Sequence, residues 1–390
     1  MADWLPWTYL AVGAIVLAHA LCFTRTCRRL ARQSLAPYTP SVSLVVSCKT
    51  APLTESLKSL VGQRYPDYET VFVVASRQDP AWPVVSRLAA EFPHARVVVA
   101  GYSPCAAEKT HNLVTARASC RGEVLAFADS DIQVPPDWLE RLVAPLQSAR
   151  VGITTAGRLP LLPSPVNFWA ASLLRLIFST TLVCFGGGRN ISAWGGSMAL
   201  RREVFDRLDV AARWSNSVDD DVSITAYVRA AGLAIRFVGL FIPTRVPGDM
   251  RSAFGWSIRQ MQYLWWYDRF TWATLAFLTM GPTVVLLGLL GAHALRLFVL
   301  CAVLHAGIVA IIFWTVHRIT STQGHGQFPP GLALVSPVVV AMAAVALGIA
   351  ATRRTMLWSG VEYRVHGSER VEVVAREVAL EPVVSLEKTA

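Results

Sequence analysis

The chain has 390 residues, of which 53% are hydrophobic and 16% are charged, with a formal net charge of +10. Its mean hydropathy of +0.42 excludes a disordered chain and an ordinary soluble protein, so lipid is expected to hold part of it. The positive charge forms no lysine-rich tract or basic helix, which argues against nucleic acid as a partner. Seven scattered cysteines without C-x-x-C pairing indicate neither a disulfide framework nor a zinc site, and they fit a reducing compartment.

Residues 1–24 predict an N-terminal transmembrane anchor. The run from Trp4 to Phe23 is apolar over about one bilayer thickness and has aromatic residues at its outer end. Four arginines between Arg25 and Arg32 follow, and positive charge favours the cytoplasmic side. We therefore expect an integral membrane protein whose next domain is cytoplasmic. The arginine-rich, lysine-poor composition suggests a bacterial inner membrane. A cleaved signal peptide is the alternative, although no small-residue cleavage site precedes the arginines.

Residues 40–250 predict one α/β domain, because apolar runs alternate with amphipathic segments. The predicted strands are 41–48, 70–75, 95–100 and 123–128, and the predicted helices between them are 53–63, 80–91 and 107–118. Such alternation builds a mainly parallel sheet covered by helices on both faces. Ligands of these sheets lie beyond the carboxyl ends of the strands, so the residues that directly follow each strand are the candidates for chemistry.

Two carboxylates, Asp129 and Asp131, follow the strand 123–128 with one small residue between them. Alternate side chains of an extended segment point the same way, so both acids can face one ligand. Their hard oxygen atoms suit Mg²⁺ or Mn²⁺ bridged to a diphosphate. The alternative is a turn with an acidic helix cap before Pro135.

Three adjacent acids, Asp219, Asp220 and Asp221, precede a second helical stretch. One acid is enough to cap a helix N-terminus, which is the purely structural interpretation. A spare carboxylate is a candidate general base that takes a proton from an attacking alcohol.

Polar residues elsewhere accompany these acids. Gly195 and Gly196, followed by Ser197, predict a tight backbone turn beside them, although glycines alone indicate only a turn. Lys109 and Asn112 lie one helical turn apart at the start of a helix and offer a cation and an amide to a nucleotide or sugar. Their spacing is equally consistent with an ordinary exposed surface.

The C-terminal part is mostly apolar. Residues 251–270 are rich in Trp and Tyr and predict an interfacial amphipathic helix. Residues 271–352 contain three stretches long enough to span, of which 271–292 is the weakest because Gly281 and Pro282 interrupt it, so it is a candidate re-entrant element. Three crossings would place the polar tail 353–390 outside, whereas its first arginines favour the cytoplasm. We therefore expect the C-terminal region to cross the membrane two or three times.

Taken in order, these residues resemble the motifs of membrane-bound glycosyltransferases of families 2 and 21, most closely the ceramide glucosyltransferase type. The matching features are Ser59-Leu60, Gln63, Tyr65-Pro66, Asp79-Pro80-Ala81, Lys109-x-x-Asn112-Leu113, Asp129-Ser130-Asp131-Ile132, Gly196-Ser197, Asp220-Asp221 before Ile224, and Trp358-x-Gly360-x-x-Tyr363. The set covers nearly the whole chain and is far more specific than any of its members. It implies a GT-A fold, which is a Rossmann-like, mainly parallel sheet, with transmembrane helices at both ends.

The resemblance implies an inverting transfer of a sugar, glucose or a related hexose, from a UDP-sugar donor to a hydroxyl of a membrane lipid such as ceramide. Asp131 would ligate the divalent metal, Mg²⁺ or Mn²⁺, and Asp129 would support donor and metal binding. Asp221 would be the general base, with Asp220 in the place of the family's glutamate. A metal offsets charge on the leaving UDP, and a base opposite it allows single displacement with inversion.

The remaining implied roles are in the binding of donor and acceptor. Lys109 and Asn112 would lie along the donor pocket. The turn at Gly195, Gly196 and Ser197 is expected on the acceptor side.

The sequence departs from the family pattern at two positions. The family's first acidic residue, which follows the second strand and holds the uridine, would fall near Ser76 here. Asp79 is then the nearest carboxylate for the donor, and the nucleotide preference is open. The family's Q/R-x-x-R-W motif becomes residues 259–263, which keep Arg259 but lose the later cation and Trp. Arg259 is expected on the diphosphate, with a headgroup anchor as the alternative. Trp265 is expected to supply the missing aromatic surface on the acceptor side.

Two other functions remain open at this stage. A processive polysaccharide synthase needs a polymer channel through several packed helices, which four spans at most and an incomplete motif make a weaker interpretation. A non-catalytic membrane scaffold derived from a transferase is favoured by the two departures. The products separate the three functions. A glycolipid-forming transferase adds one sugar per lipid, a polysaccharide synthase gives a ladder of products, and a scaffold does not bind the donor.

Overall fold

The computed structural model describes residues 4–32, 38–50, 54–185, 191–321 and 330–376. The helices in these ranges are α1 (Leu5–Arg32), α2 (Thr54–Val61), α3 (Trp82–Glu91), α4 (Glu108–Arg117), α5 (Trp138–Val143), α6 (Phe168–Phe185), α7 (Arg202–Arg207), α8 (Val210–Trp214), α9 (Asp221–Ala230), α10 (Met250–Tyr267), α11 (Arg269–Gly291), α12 (Leu295–Ser321) and α13 (Ser336–Thr352). The strands are β1 (Val42–Ser47), β2 (Tyr68–Val74), β3 (Ala95–Val99), β4 (Val124–Asp129), β5 (Val151–Leu161), β6 (Ser197–Arg201), β7 (Ala234–Arg245), β8 (Thr355–Trp358), β9 (Val361–Gly367) and β10 (Arg370–Arg376).

Seven strands form the main sheet in the order β3-β2-β1-β4-β6-β5-β7. All neighbours pair in parallel except β6, which runs antiparallel between β4 and β5. The central strand β1 is buried on both faces and therefore reads as a continuous apolar run rather than an alternating one. The predicted mainly parallel α/β sheet is thus confirmed, with its first four strands close to the predicted bounds.

The carboxyl ends of β1 and β4 meet at one edge of this sheet, where Ser47 pairs with Asp129. From β1 the chain adds β2 and β3 on one side of the sheet and then β4 on the other, so the strand order switches at β1. Open α/β sheets hold ligands at such a switch point. The fold therefore brings the acidic motif after β4 to the expected binding edge.

Four helices are long and apolar enough to cross a membrane: Leu5–Leu30, Arg269–Gly291, Leu295–Ser321 and Leu332–Thr352. The first, third and fourth of them, which belong to α1, α12 and α13, share a core with the α/β domain. The Phe23 ring in α1 lies 6.4 Å from the Phe237 ring and 6.3 Å from the Phe241 ring, both in β7. A shorter apolar helix, α6, connects β5 to β6 and packs into the same core. The predicted apolar helices at both ends of the chain are confirmed.

Helices α11 and α12 lead away from the α/β domain and back to it. Near its start, α11 is tied to the domain by an ion pair between Asp268 and Arg229 (3.4 Å). At its far end, Leu289 packs with Leu5 and with Cys301 of α12. The second half of α12 then packs with β7 and the inner half of α1.

Helix α11 is continuous through Gly281 and Pro282, the pair at which the sequence predicts an interruption. Proline removes one backbone donor but is tolerated where hydroxyl side chains satisfy nearby carbonyls. Thr279 Oγ1 donates to the Leu275 carbonyl (2.8 Å), and Thr283 Oγ1 donates to the Thr279 carbonyl (2.7 Å). The carbonyl that Pro282 leaves without its backbone donor belongs to Leu278, so these two bonds support the helix on either side of the pair and do not replace the lost one.

The first part of the polar tail is folded. Strands β8, β9 and β10 form an antiparallel sheet that follows α13 directly. Tyr363 is buried against the α/β domain, and its hydroxyl accepts a hydrogen bond from the Glu108 amide (3.3 Å). Arg376 forms an ion pair with Glu108 (3.3 Å), and Arg213 forms one with Glu369 (3.0 Å). The tail sheet therefore lies on the same side as the domain. Residues 377–390 lie outside the described residues.

Candidate active site

One cavity of about 550 Å³ lies at the carboxyl edge of β1 and β4. We call it the acidic cavity. Its polar lining includes Asp129, Asp131, Asp219, Asp220, Asp221, Lys109, Asn112, Arg158 and Arg259. The two acidic motifs, ninety residues apart in the chain, therefore face the same space. Trp358 and Tyr363 of the tail sheet also line it.

Lys109 joins the two motifs. Its ammonium lies 2.8 Å from Asp129 Oδ1 and 2.9 Å from Asp220 Oδ2. Burial disfavours the charged amine, but the two carboxylates outweigh burial and raise the pKa of Lys109 well above its ordinary value. Burial likewise works against the charged form of Asp129, yet Lys109 holds the pKa of that carboxyl below its ordinary value. The result is an internal ion triad on the cavity wall.

The three adjacent acids differ in their local partners. Asp219 Oδ2 accepts from the Ser223 amide (2.7 Å), so Asp219 is the one that caps the first turn of α9. Burial and the two neighbouring carboxylates raise the pKa of Asp219 well above its ordinary value. Burial also raises the pKa of Asp220 to about 6, although Lys109 opposes this.

Asp221 is held by two backbone donors. Its Oδ2 accepts from the Gly195 amide (2.9 Å) and its Oδ1 accepts from the Val222 amide (2.7 Å). These bonds fix the carboxylate on the cavity wall without an ion pair in the described part of the chain. A fixed carboxylate that faces a cavity is what a general base requires.

The glycine turn makes room for the acids rather than lining the cavity. A Cβ at Gly195 would overlap the Asp220 carboxylate, and one at Gly196 would overlap Asp129 and the Trp194 ring. Ser197 is fully buried, and its Oγ accepts from Trp138 Nε1 (2.8 Å). The residue type at these positions is therefore dictated by the close approach of the turn to both acidic motifs.

Of two other predicted residues, Asn112 and Asp79, only the first lines the cavity. Asn112 lines it and donates to Ser47 Oγ (3.0 Å), while its buried Oδ1 has no hydrogen-bond partner among the described residues. Asp79 does not line it; Asp79 Oδ1 accepts from the Ala81 amide (2.8 Å). Half-burial, with Glu108 nearby, raises the pKa of Asp79.

Trp265 does not line the acidic cavity. Its ring packs edge-on against Trp272 (4.7 Å between centroids), with the Arg269 guanidinium 4.8 Å from the Trp265 ring. The aromatic residues of α10 that line the cavity are Trp256 and Tyr263.

Arg158 lines the cavity but was not predicted. It is the only charged residue in strand β5, and burial lowers its pKa although Asp129, Asp131 and Asp221 oppose the shift. A lone cation in an otherwise apolar strand is costly to bury, which is the signal that could have identified it from sequence.

The donor atoms at the β4 end fit a shared divalent cation. Asp129 and Asp131 supply hard carboxylate oxygens, and burial together with Asp129 raises the pKa of Asp131, so a cation there would relieve repulsion. The described residues contain no group of three or more His, Cys, Asp or Glu side chains that could hold a metal alone. Mg²⁺ commonly takes one or two carboxylates and completes its shell with phosphates and water.

A mainly parallel sheet, an acidic cavity at its switch point and apolar helices packed around it are the arrangement that the family resemblance implies. The chain belongs to glycosyl transferase family 21, whose family model matches residues 5–371.

Two known proteins are similar to parts or most of the chain. A beta-monoglucosyldiacylglycerol synthase from Synechocystis sp. is 26% identical over 202 residues, which is 49% of this chain and 40% of the relative, so the match spans under half of that relative's length. The solved structure of the mannosyltransferase PcManGT from Pyrobaculum calidifontis, in complex with GDP-Man and Mn²⁺, covers 88% of this chain and 98% of its own at 18% identity, with a TM-score of 0.49.

Proposed function

We propose that the chain transfers a hexose, glucose or a close relative, from a UDP-sugar to the hydroxyl of a membrane lipid, with inversion at the anomeric carbon. One observation carries the proposal: Asp131 and Asp221 line the same cavity, and that cavity continues among apolar helices. Metal-type acids, a base-type acid and an apolar entrance in one space are the requirements for this transfer.

The donor side is the wall formed by Asp129, Asp131 and Lys109. The two carboxylates would hold Mg²⁺ or Mn²⁺, and the bound cation would offset the charge that develops on the departing UDP. Lys109 keeps Asp129 ionised and keeps Asp220 beside it, so that the wall stays assembled without the donor. Asn112 lies on the same helix and presents its unpaired Oδ1 in this region.

The acceptor side is the apolar part of the acidic cavity. It is lined by Ile177 and Leu182 of α6, Leu264 of α10, Leu275 of α11 and Phe23 of α1. Acyl chains can remain against these residues while the lipid hydroxyl reaches the acids. The diacylglycerol glycolipid named in the Synechocystis relative supports a lipid alcohol as acceptor. Ceramide and diacylglycerol both present such a hydroxyl.

Asp221 is proposed as the base. It takes the proton of the lipid hydroxyl as that oxygen attacks the anomeric carbon, and UDP leaves from the opposite face. The Gly195 and Val222 amides hold the carboxylate in place during this step. Asp220, whose pKa is raised to about 6, acts as the partner of Lys109.

We propose that the domain faces the cytoplasm of a bacterial cell and that its helices sit in the inner membrane. UDP-sugars would then meet the acidic cavity directly. The arginines that follow the α1 apolar run support this orientation through the positive-inside rule.

The direct test is a product assay. Full-length protein in detergent micelles is given Mg²⁺, a UDP-hexose and either ceramide or diacylglycerol, and the products are analysed by mass spectrometry and by NMR of the anomeric proton. We expect one hexose per lipid in the inverted configuration. A ladder of products would identify a polysaccharide synthase, and intact donor with no binding would identify a scaffold.

A further inference from the structure

Arg158 occupies a pocket of aromatic rings. Its guanidinium carbon lies 5.3 Å from the Trp256 ring centroid, 5.7 Å from that of Phe178 and 5.9 Å from that of Trp194. These rings come from α10, α6 and the turn before β6, so three separate elements converge on one side chain. Contacts of this kind stabilise a cation moderately and fix its orientation.

The same guanidinium lacks a close anion. Within the described ranges it makes no ion pair or hydrogen bond, and its Nε is buried without a partner. Asp129, Asp131 and Asp221 act on it only from beyond ion-pair distance. Burying a guanidinium is costly unless an anion completes its hydrogen bonds. A structural arginine would be expected to have such a partner.

Arg259 lies in the same cavity and repels Arg158. In the part of the chain that is described, Arg259 also forms no ion pair. Two cations that face one cavity without carboxylate partners repel each other. An anion between them offsets this repulsion and accepts charge-assisted hydrogen bonds from both. The planar fork of arginine matches the oxygen atoms of a phosphate in a bidentate manner.

We infer that Arg158 is a donor-binding residue that, with Arg259, clamps the diphosphate of the nucleotide-sugar. The inference rests on the proposed function in taking the ligand to be a donor diphosphate. Asp129 and Asp131 lie on the acidic side of the same cavity, so the diphosphate would be neutralised by the carboxylate-bound cation on one side and by two guanidinium groups on another. An anionic lipid headgroup offers the same phosphate chemistry and is separated by the test.

The probe is inorganic pyrophosphate, because it carries no base or sugar. Full-length protein in neutral detergent is titrated calorimetrically with pyrophosphate and Mg²⁺, and separately with uridine. The variants are Arg158→Gln, Arg158→Lys and the control Arg141→Gln. Arg141 makes only a partly exposed ion pair with Asp137 (2.7 Å), so its loss should leave binding unchanged.

We expect Arg158→Gln to weaken pyrophosphate binding about 10- to 100-fold, as for loss of a charged hydrogen-bonding partner. Arg158→Lys keeps the charge but not the fork, so its loss should be intermediate, and uridine binding should not change in either variant. The KM for the nucleotide-sugar donor should rise in parallel with the dissociation constant for pyrophosphate. Melting temperatures without ligand report whether each variant is folded.

Equal pyrophosphate affinity in wild-type protein and Arg158→Gln would overturn the clamp. So would a variant that keeps pyrophosphate binding but no longer binds micelles doped with an anionic phospholipid, because Arg158 would then contact a headgroup. If Arg158→Lys both binds uridine more weakly and has a lower melting temperature, Arg158 has a structural role only. Arg158-dependent pyrophosphate binding without UDP-hexose transfer would support the clamp and refute the donor assignment.

Discussion

Removing Lys109 should destabilise the protein in a pH-dependent manner. The variant Lys109→Met keeps the length of the side chain but leaves Asp129 and Asp220 without their cation, and both lie largely inside the protein. Breaking a buried ion pair by removing one partner costs about 3–5 kcal/mol. For a domain of this size each kcal/mol corresponds to about 2–4 °C, so the melting temperature should fall by about 6–20 °C.

The sign of the pH dependence follows from the pKa directions. Lys109 holds the pKa of Asp129 low, and that contribution to stability is present above the unfolded-state pKa and is lost as pH falls through the folded-state value. Asp220 is already raised to about 6 with Lys109 present, and without it the carboxyl takes a proton still more readily. Protonation removes the unpaired charge, so the deficit of the variant should shrink as pH is lowered.

The assay is thermal unfolding in detergent followed by intrinsic fluorescence, from pH 5 to pH 8. Lys58→Met is the control because Lys58 is an exposed lysine on α2. We expect the difference between wild type and Lys109→Met to be larger at pH 8 than at pH 5, with no trend for the control. A deficit that is the same at both pH values, or no larger than that of Lys58→Met, would refute the ion triad.

Three further outcomes are expected. Gly195→Ala should lower stability by about 1–3 kcal/mol and reduce turnover, because its Cβ overlaps Asp220; an unchanged melting temperature would contradict the close approach. Asp131→Ala should abolish the difference in UDP-sugar affinity between Mg²⁺ and EDTA, measured by calorimetry, and a retained difference would remove Asp131 from the metal site. In membranes, an impermeant thiol reagent should reach His293→Cys and Ser368→Cys from opposite sides, relative to the cysteines already present; labelling from one side would contradict the topology.

The topology prediction follows from helix packing. Val339 and Val340, near the start of α13, pack in the core that holds the second half of α12 and β7. Leu347, near its end, packs with Leu275 of α11 and with α10. Both ends of α13 therefore lie towards the α/β domain. In the C-terminal region we therefore expect α11 and α12 to cross the membrane as a pair and α13 to stay on the domain side. This places the tail sheet beside the domain and accommodates its arginines on that side.

The residues whose position at the cavity the sequence predicts best are those whose chemistry is visible locally. Asp129 and Asp131 follow a buried strand and precede a turn, and Lys109 and Asn112 begin a helix after a loop. Their positions at the sheet edge follow directly from the order of parallel strands. Lys109 itself proved to be the link between the two acidic motifs, which spacing alone could not indicate.

Other parts of the site depend on contacts that no local pattern encodes. Tyr363 reaches the cavity only because β9 folds back onto the domain after the last helix, 255 residues beyond Glu108. Arg158 stands out in the sequence only as a lone cation in an apolar strand, and its ring pocket is formed by α6, α10 and the turn before β6, which no local pattern brings together. Trp265 shows the reverse: an aromatic residue in an interfacial helix satisfied the pattern, while the helix turn directs it to Trp272 rather than to the cavity.

In the proposed reaction, Asp221 removes the proton of a lipid hydroxyl in the cavity that binds the donor. The most direct measurement is kcat for hexose transfer by Asp221→Asn beside its dissociation constant for the UDP-sugar. We expect kcat to fall about 10²- to 10⁴-fold while the dissociation constant stays essentially unchanged. Turnover equal to that of the wild type would contradict it.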